Sequence, residues 1–406
     1  MRILYLCHRI PYPPDKGDKI RAFHQVEALA GRHEVHLFTL ADDDRDLVHA
    51  EVLRRSCRQV TVVRLNPRTA RLKALPYLLT RKPLTLPYFY SRELQREVRK
   101  ALNTQAFDRI FVYCSAMAQY VESAAGIPVI TDFVDMDSDK WTQYAGFTNW
   151  PLSAIHRREG RALREYERQV CEKSACVVVT TGREASLARE ISGATRVSAI
   201  PNGVDTEYFQ PAAKPAPPDA PTVGFTGDMS YFPNAEAVTY FAREVLPLIR
   251  QSVPATRFLI VGRNPGPKVK KLQEIPGVEV TGFVPDIREY LARMQVAVAP
   301  FSIAAGIQNK ILEAMACGIP VVCTPRAAQG LAEEVAAAVE IADGPRDTAA
   351  KIADLLRQPE IARAKGLQGR RRVTAAYQWD RSLAALLELV ENPRNRELTE
   401  TRTEGG

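Results

Sequence analysis

Short apolar runs alternate with stretches of helical periodicity along the first half of the chain. RILYLC (2–7), EVHLFTL (34–40), VTVVRL (60–65), RIFVYC (109–114), PVITDFV (128–134), CVVVTT (176–181) and VSAIPNG (197–203) are apolar nearly throughout and read as strands. Residues 20–31 repeat their apolar positions at helical spacing and close on Gly31. Further helices are predicted near 43–56, 91–104, 116–125, 151–174 and 183–191. Strands without polar alternation are buried on both faces, so the pattern predicts a parallel sheet with helices on each side.

Residues 207–221 interrupt the alternation with five prolines in fifteen residues and little to pack, which predicts an interdomain linker. The scheme then repeats. Strands are expected at 222–227, 257–262, 278–283, 296–301, 320–324 and 338–342, with helices near 234–251, 266–274, 286–294, 306–317, 327–335 and 346–357. The expected organisation is an N-terminal Rossmann-like domain over 1–206, the linker 207–221, and a second Rossmann-like domain over 222–376. A terminal helix over 377–393 follows, then a polar, disordered tail at 394–406. Two doubly wound α/β domains predict a ligand in a cleft facing the carboxyl ends of their strands.

Composition narrows the class. The 406 residues exceed one ordinary core, and 46% hydrophobic with 25% charged residues is the balance of a globular protein. No apolar run is long enough to span a bilayer, and the N-terminal run lacks a basic leader and cleavage site, so it reads as a first strand. Seven cysteines without CxxC suit reduced thiols and a cytoplasmic location, and the six histidines show no HExxH, so no metal is expected. The net charge of +8 is uneven: residues 64–100 carry ten Lys/Arg against two Glu, mixed with Leu, Pro, Tyr and Phe. This segment suits an anionic membrane surface, with an ordinary solvated face as the alternative. No nucleic-acid-binding motif accompanies it. GxGxxG is absent after the first strand of either half, which argues against a nicotinamide enzyme.

The segment VAVAPFSIAAGIQNKILEAMACGIPVVCT (296–324) carries the chemistry. With a helix starting near Gly306, residues Gly306, Lys310, Glu313 and Cys317 share one face, while Ile307, Ile311, Ala314 and Met315 share the buried one. Free backbone N–H groups at the helix start, a close approach at Gly306, the Lys310 ammonium and the Glu313 carboxylate suit a diphosphate and a ribose diol. By itself, the pattern fits an ordinary i,i+3 Lys–Glu pair on a solvated helix better, since such pairs are common.

PNGVD (201–205) followed by Phe209, then GFVPDIREYLARMQVAVAP (282–300), then KILEAMACGIPVV (310–322) together resemble glycosyltransferase family 4. The finer pattern GIQNKILEAMA, with DFVDMDSDKW (132–141) and PYPPDKGDKIR near the start, is similar to sugar transferases associated with PEP-CTERM/exosortase systems. The resemblance implies a GT-B fold, a nucleotide-diphospho-sugar donor and sugar transfer to a hydroxyl with retention, without a metal and without a cofactor. The role would be exopolysaccharide or other surface glycan synthesis, on a lipid-linked or glycan acceptor.

The resemblance also implies site residues. Glu313 matches the family glutamate on the donor ribose, but the glutamate usual eight residues earlier is Ala305 here. The family's Arg and Lys after the first strand of the second domain are absent from GDMSYFPNAE, which leaves Arg263 and Lys310 as the candidate cations. Gly227, Gly262, Arg263, Phe283, Val284, Gly306, Ile307, Gln308, Asn309, Lys310 and Glu313 are expected around the donor, with backbone groups at 282–284 reading the base. Gly17 and Arg21, with Asp132, Asp135 and Asp137, are expected around the acceptor. For Asp137 a helix N-cap is the alternative, and for Arg21 a surface helix charge. Asp135, Lys310, Glu313 and Arg263 are the candidate catalytic groups. A non-catalytic GT-B assembly partner at the membrane and a nucleotide-sugar epimerase remain alternative readings.

Overall fold

The computed structural model describes residues 1–124, 126–212 and 220–393. Residues 213–219 of the expected linker and the tail 394–406 lie outside the described residues. The chain divides into two compact units, one formed by Met1–Pro201 with the segment from Asp380 onward, the other by Asn202–Trp379.

Unit 1 is built on seven parallel strands in the order β3-β2-β1-β4-β5-β6-β7. These are β1 Arg2–Cys7, β2 Glu34–Ala41, β3 Gln59–Arg64, β4 Arg109–Tyr113, β5 Val129–Val134, β6 Cys176–Val179 and β7 Val197–Ala199. Successive side chains point to opposite faces. Ile3, Tyr5 and Cys7 therefore enter one core with Ala22, Val26 and Leu29, and Leu4 and Leu6 enter another with Leu94, Val98 and Ala101. The longer helices are α1 (Gly17–Ala30), α2 (Pro67–Ala74), α3 (Arg92–Thr104), α4 (Asp137–Gly146), α5 (Leu152–Lys173) and α6 (Gly182–Ser192). Two stretches expected as helices are wholly or partly tighter turns: Ser115–Tyr120 is a 3-10 segment, and the stretch expected over 43–56 is 3-10 at Asp44–His49 and α-helical only at Ala50–Leu53.

Unit 2 holds six parallel strands in the order β10-β9-β8-β11-β12-β13. They are β8 Thr222–Thr226, β9 Arg257–Val261, β10 Val278–Val280, β11 Val296–Ala299, β12 Val321–Cys323 and β13 Glu340–Ile341. The long helix expected over 234–251 is interrupted. α7 (Phe232–Tyr240) passes through a π-turn at Phe241–Val245 into α8 (Leu246–Ser252), whose second residue is Pro247 and cannot donate to the helical ladder. α9 (Asn309–Ala316) follows β11, and α10 (Gly344–Arg357) and α11 (Pro359–Ala376) complete the unit.

α12 (Trp379–Glu391) is the last helix among the described residues. Leu386, Leu387, Leu389 and Val390 bury into the Ile3–Tyr5 core of unit 1. Arg109 at the start of β4 donates from Nε to the Val390 carbonyl (3.0 Å) and from Nη2 to that of Glu391 (3.2 Å), meeting carbonyls left open at the helix end. The two doubly wound α/β units bear out the fold class read from the alternation of strands and helices.

Candidate functional site

In a doubly wound sheet, ligands bind outside the carboxyl ends of the strands where the strand order reverses. In unit 2 that point lies between β8 and β11. Gly227–Asp228 leaves β8 there, and 300–308 leaves β11 for α9. Gly262, after β9, has φ 147°, and a Cβ on it would lie 1.7 Å from the Gly227 carbonyl oxygen. Only glycine lets these two turns close on each other.

Asp228 pins the turn. It accepts from Arg263 Nε (3.1 Å), Asn264 Nδ2 (3.1 Å) and Ser230 Oγ (2.6 Å). Burial would raise its carboxyl, but the hydrogen bonds from Ser230, Asn264 and Arg263 outweigh it and hold the group below the usual range. Asn234, from α7, donates to the Asp228 carbonyl (2.8 Å) and accepts from Lys310 Nζ (2.6 Å).

The helix bearing Lys310 begins three residues later than expected. Gly306 has φ 57°, outside helical geometry, and α9 starts at Asn309 after the N-cap Gln308. Gln308 Nε2 bonds the Ala305 carbonyl (3.1 Å), and Asn309 Oδ1 accepts from Asn202 Nδ2 (3.0 Å) in the PNGVD loop. Among the described residues, the backbone N–H groups of Ile307, Gln308, Asn309 and Lys310 meet no protein acceptor. Ile311, Leu312, Ala314, Met315 and Ala316 bury, as the inner face of α9 requires.

Lys310 and Glu313 lie on the partly exposed face of α9. The Lys310 ammonium stands 4.3 Å from the Phe225 ring centre and 4.7 Å from that of Phe301. Burial pushes it down to about 7, against the pull of Glu313. Burial pushes Glu313 up to about 7, opposed by Lys310. Among the described residues Glu313 forms no ion pair within 4 Å, and Lys310 still lies near enough to act on its carboxyl. Arg263 is committed to Asp228 rather than standing as an isolated cation. At the β10 exit, the Gly282 carbonyl accepts the Gly262 N–H (3.2 Å), Val284 is half-buried, and the Phe283 ring is 72% exposed.

The acceptor residues expected in unit 1 divide into two groups. Arg21 and Asp132 are 1% and 0% exposed and hold each other, Arg21 Nε to Asp132 Oδ2 at 2.8 Å. Gln25 Nε2 adds a bond to the same oxygen (2.6 Å), and Asp132 Oδ1 accepts the Val134 N–H (2.8 Å). This corrects the expectation that they face an acceptor: they form an internal brace. The brace supports Val134 at φ 66°, and the Asp132 carbonyl accepts from Cys114 at φ 77°, conformations that cost strain in non-glycine residues.

Asp135 accepts from Thr180 Oγ1 (3.0 Å), and burial raises its carboxyl. Asp137 is the first residue of α4 and pairs with Lys140 one turn on; the N-cap is Met136. Two buried acids lie under this segment. Glu167 accepts from the Ser138 N–H (3.0 Å) and Glu184 from the Met136 N–H (2.7 Å), and burial raises them to about 8 and about 7. Gly17 begins α1.

Sequence reading missed a second group at the ends of β1 and β2. Arg9 bonds Asp18 (2.7 Å) and Asp42 (2.8 Å), His8 Nε2 lies 3.4 Å from Asp18, and the His8 ring stacks on Tyr113 at 5.8 Å. Burial would raise the Asp18 carboxyl, but the His8 and Arg9 contacts hold it far below the usual range. The usable signal was position alone: these residues follow strand ends at the β1/β4 reversal.

Comparison with known proteins follows this division. A glycosyl transferase 4-like domain matches residues 19–203 and a glycosyl transferases group 1 domain matches 220–358. The chain is thus of the GT-B glycosyltransferase type, carrying the two domains in tandem. A phosphatidylinositol N-acetylglucosaminyltransferase subunit from Arabidopsis thaliana is 30% identical over 159 residues, 37% of this chain and 34% of that protein. The gpi3 subunit of the same activity in Schizosaccharomyces pombe is 29% identical over 153 residues, 36% of this chain and 32% of that protein. The chain matches about a third of the length of these curated relatives. Among solved structures, sucrose-phosphate synthase from Thermosynechococcus elongatus superposes with a TM-score of 0.72 at 21% identity, covering 97% of this chain and 99% of that one. Anabaena Alr3699/HepE in complex with UDP-glucose gives 0.68 at 16%, covering 97% and 100%.

Proposed function

We propose that the chain transfers a sugar from a nucleotide-diphospho-sugar to a hydroxyl acceptor with retention at the anomeric carbon. The observation that carries this reading is the start of α9: unengaged N–H groups from Ile307 to Lys310, the Lys310 ammonium, and an unpaired Glu313 one turn on. In the retaining reaction, negative charge grows on the departing diphosphate. The helix dipole, these N–H groups and Lys310 stabilise that charge without a metal. Glu313 accepts hydrogen bonds from the ribose diol. With Ala305 in place of a glutamate, the sugar ring is held by backbone groups of the 302–308 loop. Arg263 acts through Asp228, by fixing the β8 turn against which the diphosphate rests.

Asp135, close to Thr180 and raised by burial, is the acceptor-side group we assign to orienting a hydroxyl. The reading extends to a lipid-linked or glycan acceptor in the cytoplasm, and to exopolysaccharide synthesis of the PEP-CTERM-associated kind. Among the described residues, no helix is long and apolar enough to cross a membrane.

Thermal denaturation with UDP, GDP and their sugars tests it. A ligand at one hundred times its Kd adds about 2.7 kcal/mol to the folded state. The shift is expected with one nucleotide family and is expected to vanish in Glu313→Ala. A chain that no nucleotide stabilises would overturn the assignment.

A further inference from the structure

α2 and the 3-10 turn Leu75–Leu79 present Leu72, Leu75 and Leu79 to solvent, Leu79 at 95%. From Asn66 to Ser91 the sequence contains no Asp or Glu, while Arg68, Arg71, Lys73, Arg81 and Lys82 are all exposed. A second apolar projection lies at the tip of the α4–α5 hairpin, where Phe147, Trp150 and Leu152 stand out, Trp150 at 83%. No carboxylate occurs from Phe147 to Arg158.

The two projections are tied together. Arg158 Nη2, six residues after Leu152 and so about 9 Å along α5, donates to the carbonyls of Tyr77, Thr80 and Lys82, each at 2.6 Å. Glu159 accepts the N–H groups of Leu84 (2.8 Å) and Thr85 (2.9 Å) and is fully buried. The Leu79 turn is thereby fixed beside the root of the Trp150 tip. On the side of the sheet that α2 and α3 share, Arg92, Arg96, Arg99 and Lys100 line a groove of about 480 Å³ with Tyr90, an excess of cations over the Glu93 and Glu97 of the same helix, the latter paired with Arg96.

We propose that this surface of unit 1 seats on an anionic phospholipid bilayer, with the leucines and Trp150 entering the headgroup layer and the surrounding cations meeting lipid phosphates. Exposed leucines and an indole set among cations of one sign are what such an interface selects. A second copy of the same face would set cation against cation, which disfavours a symmetric dimer through it. A flat polyanion would meet the cations but leave Leu79 and Trp150 in water. The inference rests on unit 1 alone and not on the donor reading.

The test is co-sedimentation of the full chain with vesicles of phosphatidylcholine alone and of phosphatidylcholine mixed with phosphatidylglycerol. The wild type is expected to bind the mixed vesicles, less so as salt rises. Each cation near such a surface is worth about fivefold, so Arg81→Glu with Lys82→Glu is expected to weaken binding more than tenfold. Leu79→Ser with Trp150→Ala is expected to abolish it. Both variants alter exposed side chains and should keep the wild-type melting temperature and nucleotide-induced shift, and Glu313→Ala should keep vesicle binding. No binding by the wild type, equal binding to uncharged vesicles, unchanged binding in Leu79→Ser with Trp150→Ala, or concentration-dependent self-association that those substitutions reverse would each overturn the proposal.

Discussion

Lys310 donates to Asn234 Oδ1 at 2.6 Å, joining the first turn of α9 to the first turn of α7 directly beneath the Gly227 turn. The same ammonium faces two phenylalanine rings, so the surroundings disfavour its charge while the aromatic faces and the amide partly restore it. On the proposed reading, an arriving diphosphate supplies a further anion.

Nucleotide affinity is therefore expected to peak near neutral pH. It falls on the acid side as Glu313, at about 7, takes a proton and ceases to accept from the diol. It falls on the alkaline side as Lys310, also at about 7, loses its proton. Lys310→Met should erase the alkaline limb. It should also move the acid limb to higher pH, because Glu313 loses the cation that opposes its rise. Glu313→Gln should move the alkaline limb to lower pH for the converse reason. Calorimetric titration across about pH 5.5–8.5 reads these limbs; a flat profile contradicts the assignment.

Asp132→Ala is expected to destabilise the chain by about 3–5 kcal/mol, since it strands the Arg21 charge in the core. Replacing both partners, Arg21→Met with Asp132→Leu, should cost less than the single change if the pair alone were at stake. Part of the loss should nevertheless persist, because the Val134 N–H also depends on Asp132. Urea denaturation of the two variants beside the wild type measures the difference.

Gly262→Ala places a methyl 1.7 Å from the Gly227 carbonyl oxygen. The β8 and β9 turns must then separate, so nucleotide binding should weaken at least tenfold, while Gly266→Ala, where a Cβ meets nothing within 4 Å, should be silent. Equal binding in both variants would show that the turns are not held by this contact.

Glu167 and Glu184 are raised to about 8 and about 7 from an ordinary 4.5. The folded chain then keeps protons that the unfolded chain has released, so stability is greatest at and below the ordinary glutamate range. It declines as pH climbs through 7 toward 8. Glu167→Gln should flatten that slope in melting curves between about pH 5 and 8.

The alternation of apolar runs with amphipathic helices was enough to read the class of fold, because parallel strands buried on both faces leave an unmistakable composition. Local detail was less legible. The onset of α9 moved from Gly306 to Asn309 because positive φ at Gly306 is set by the turn leaving β11 and leaves no periodic trace in the sequence. Lys310 and Glu313 were readable from helical spacing, since three residues return to one face. Their aromatic and amide neighbours were not, because Phe225, Asn234 and Phe301 come from other elements. Arg21 was misread for a related reason. A helical arginine looks solvated until strand β5 is seen to place Asp132 beneath it.

α12 returns to unit 1 with the Leu386–Val390 side chains that finish its first core, and the outgoing and returning segments touch, Val204 N–H to the Tyr377 carbonyl at 2.8 Å. The strand at Arg2–Cys7 thus depends on a helix that follows the whole of unit 2. On the ribosome, unit 2 has its whole sequence available while unit 1 still lacks its closing helix. A stop codon shortly before Trp379 would spare the sheet of unit 2 yet leave that of unit 1 uncapped, so loss of α12 is felt as a defect of the first sheet.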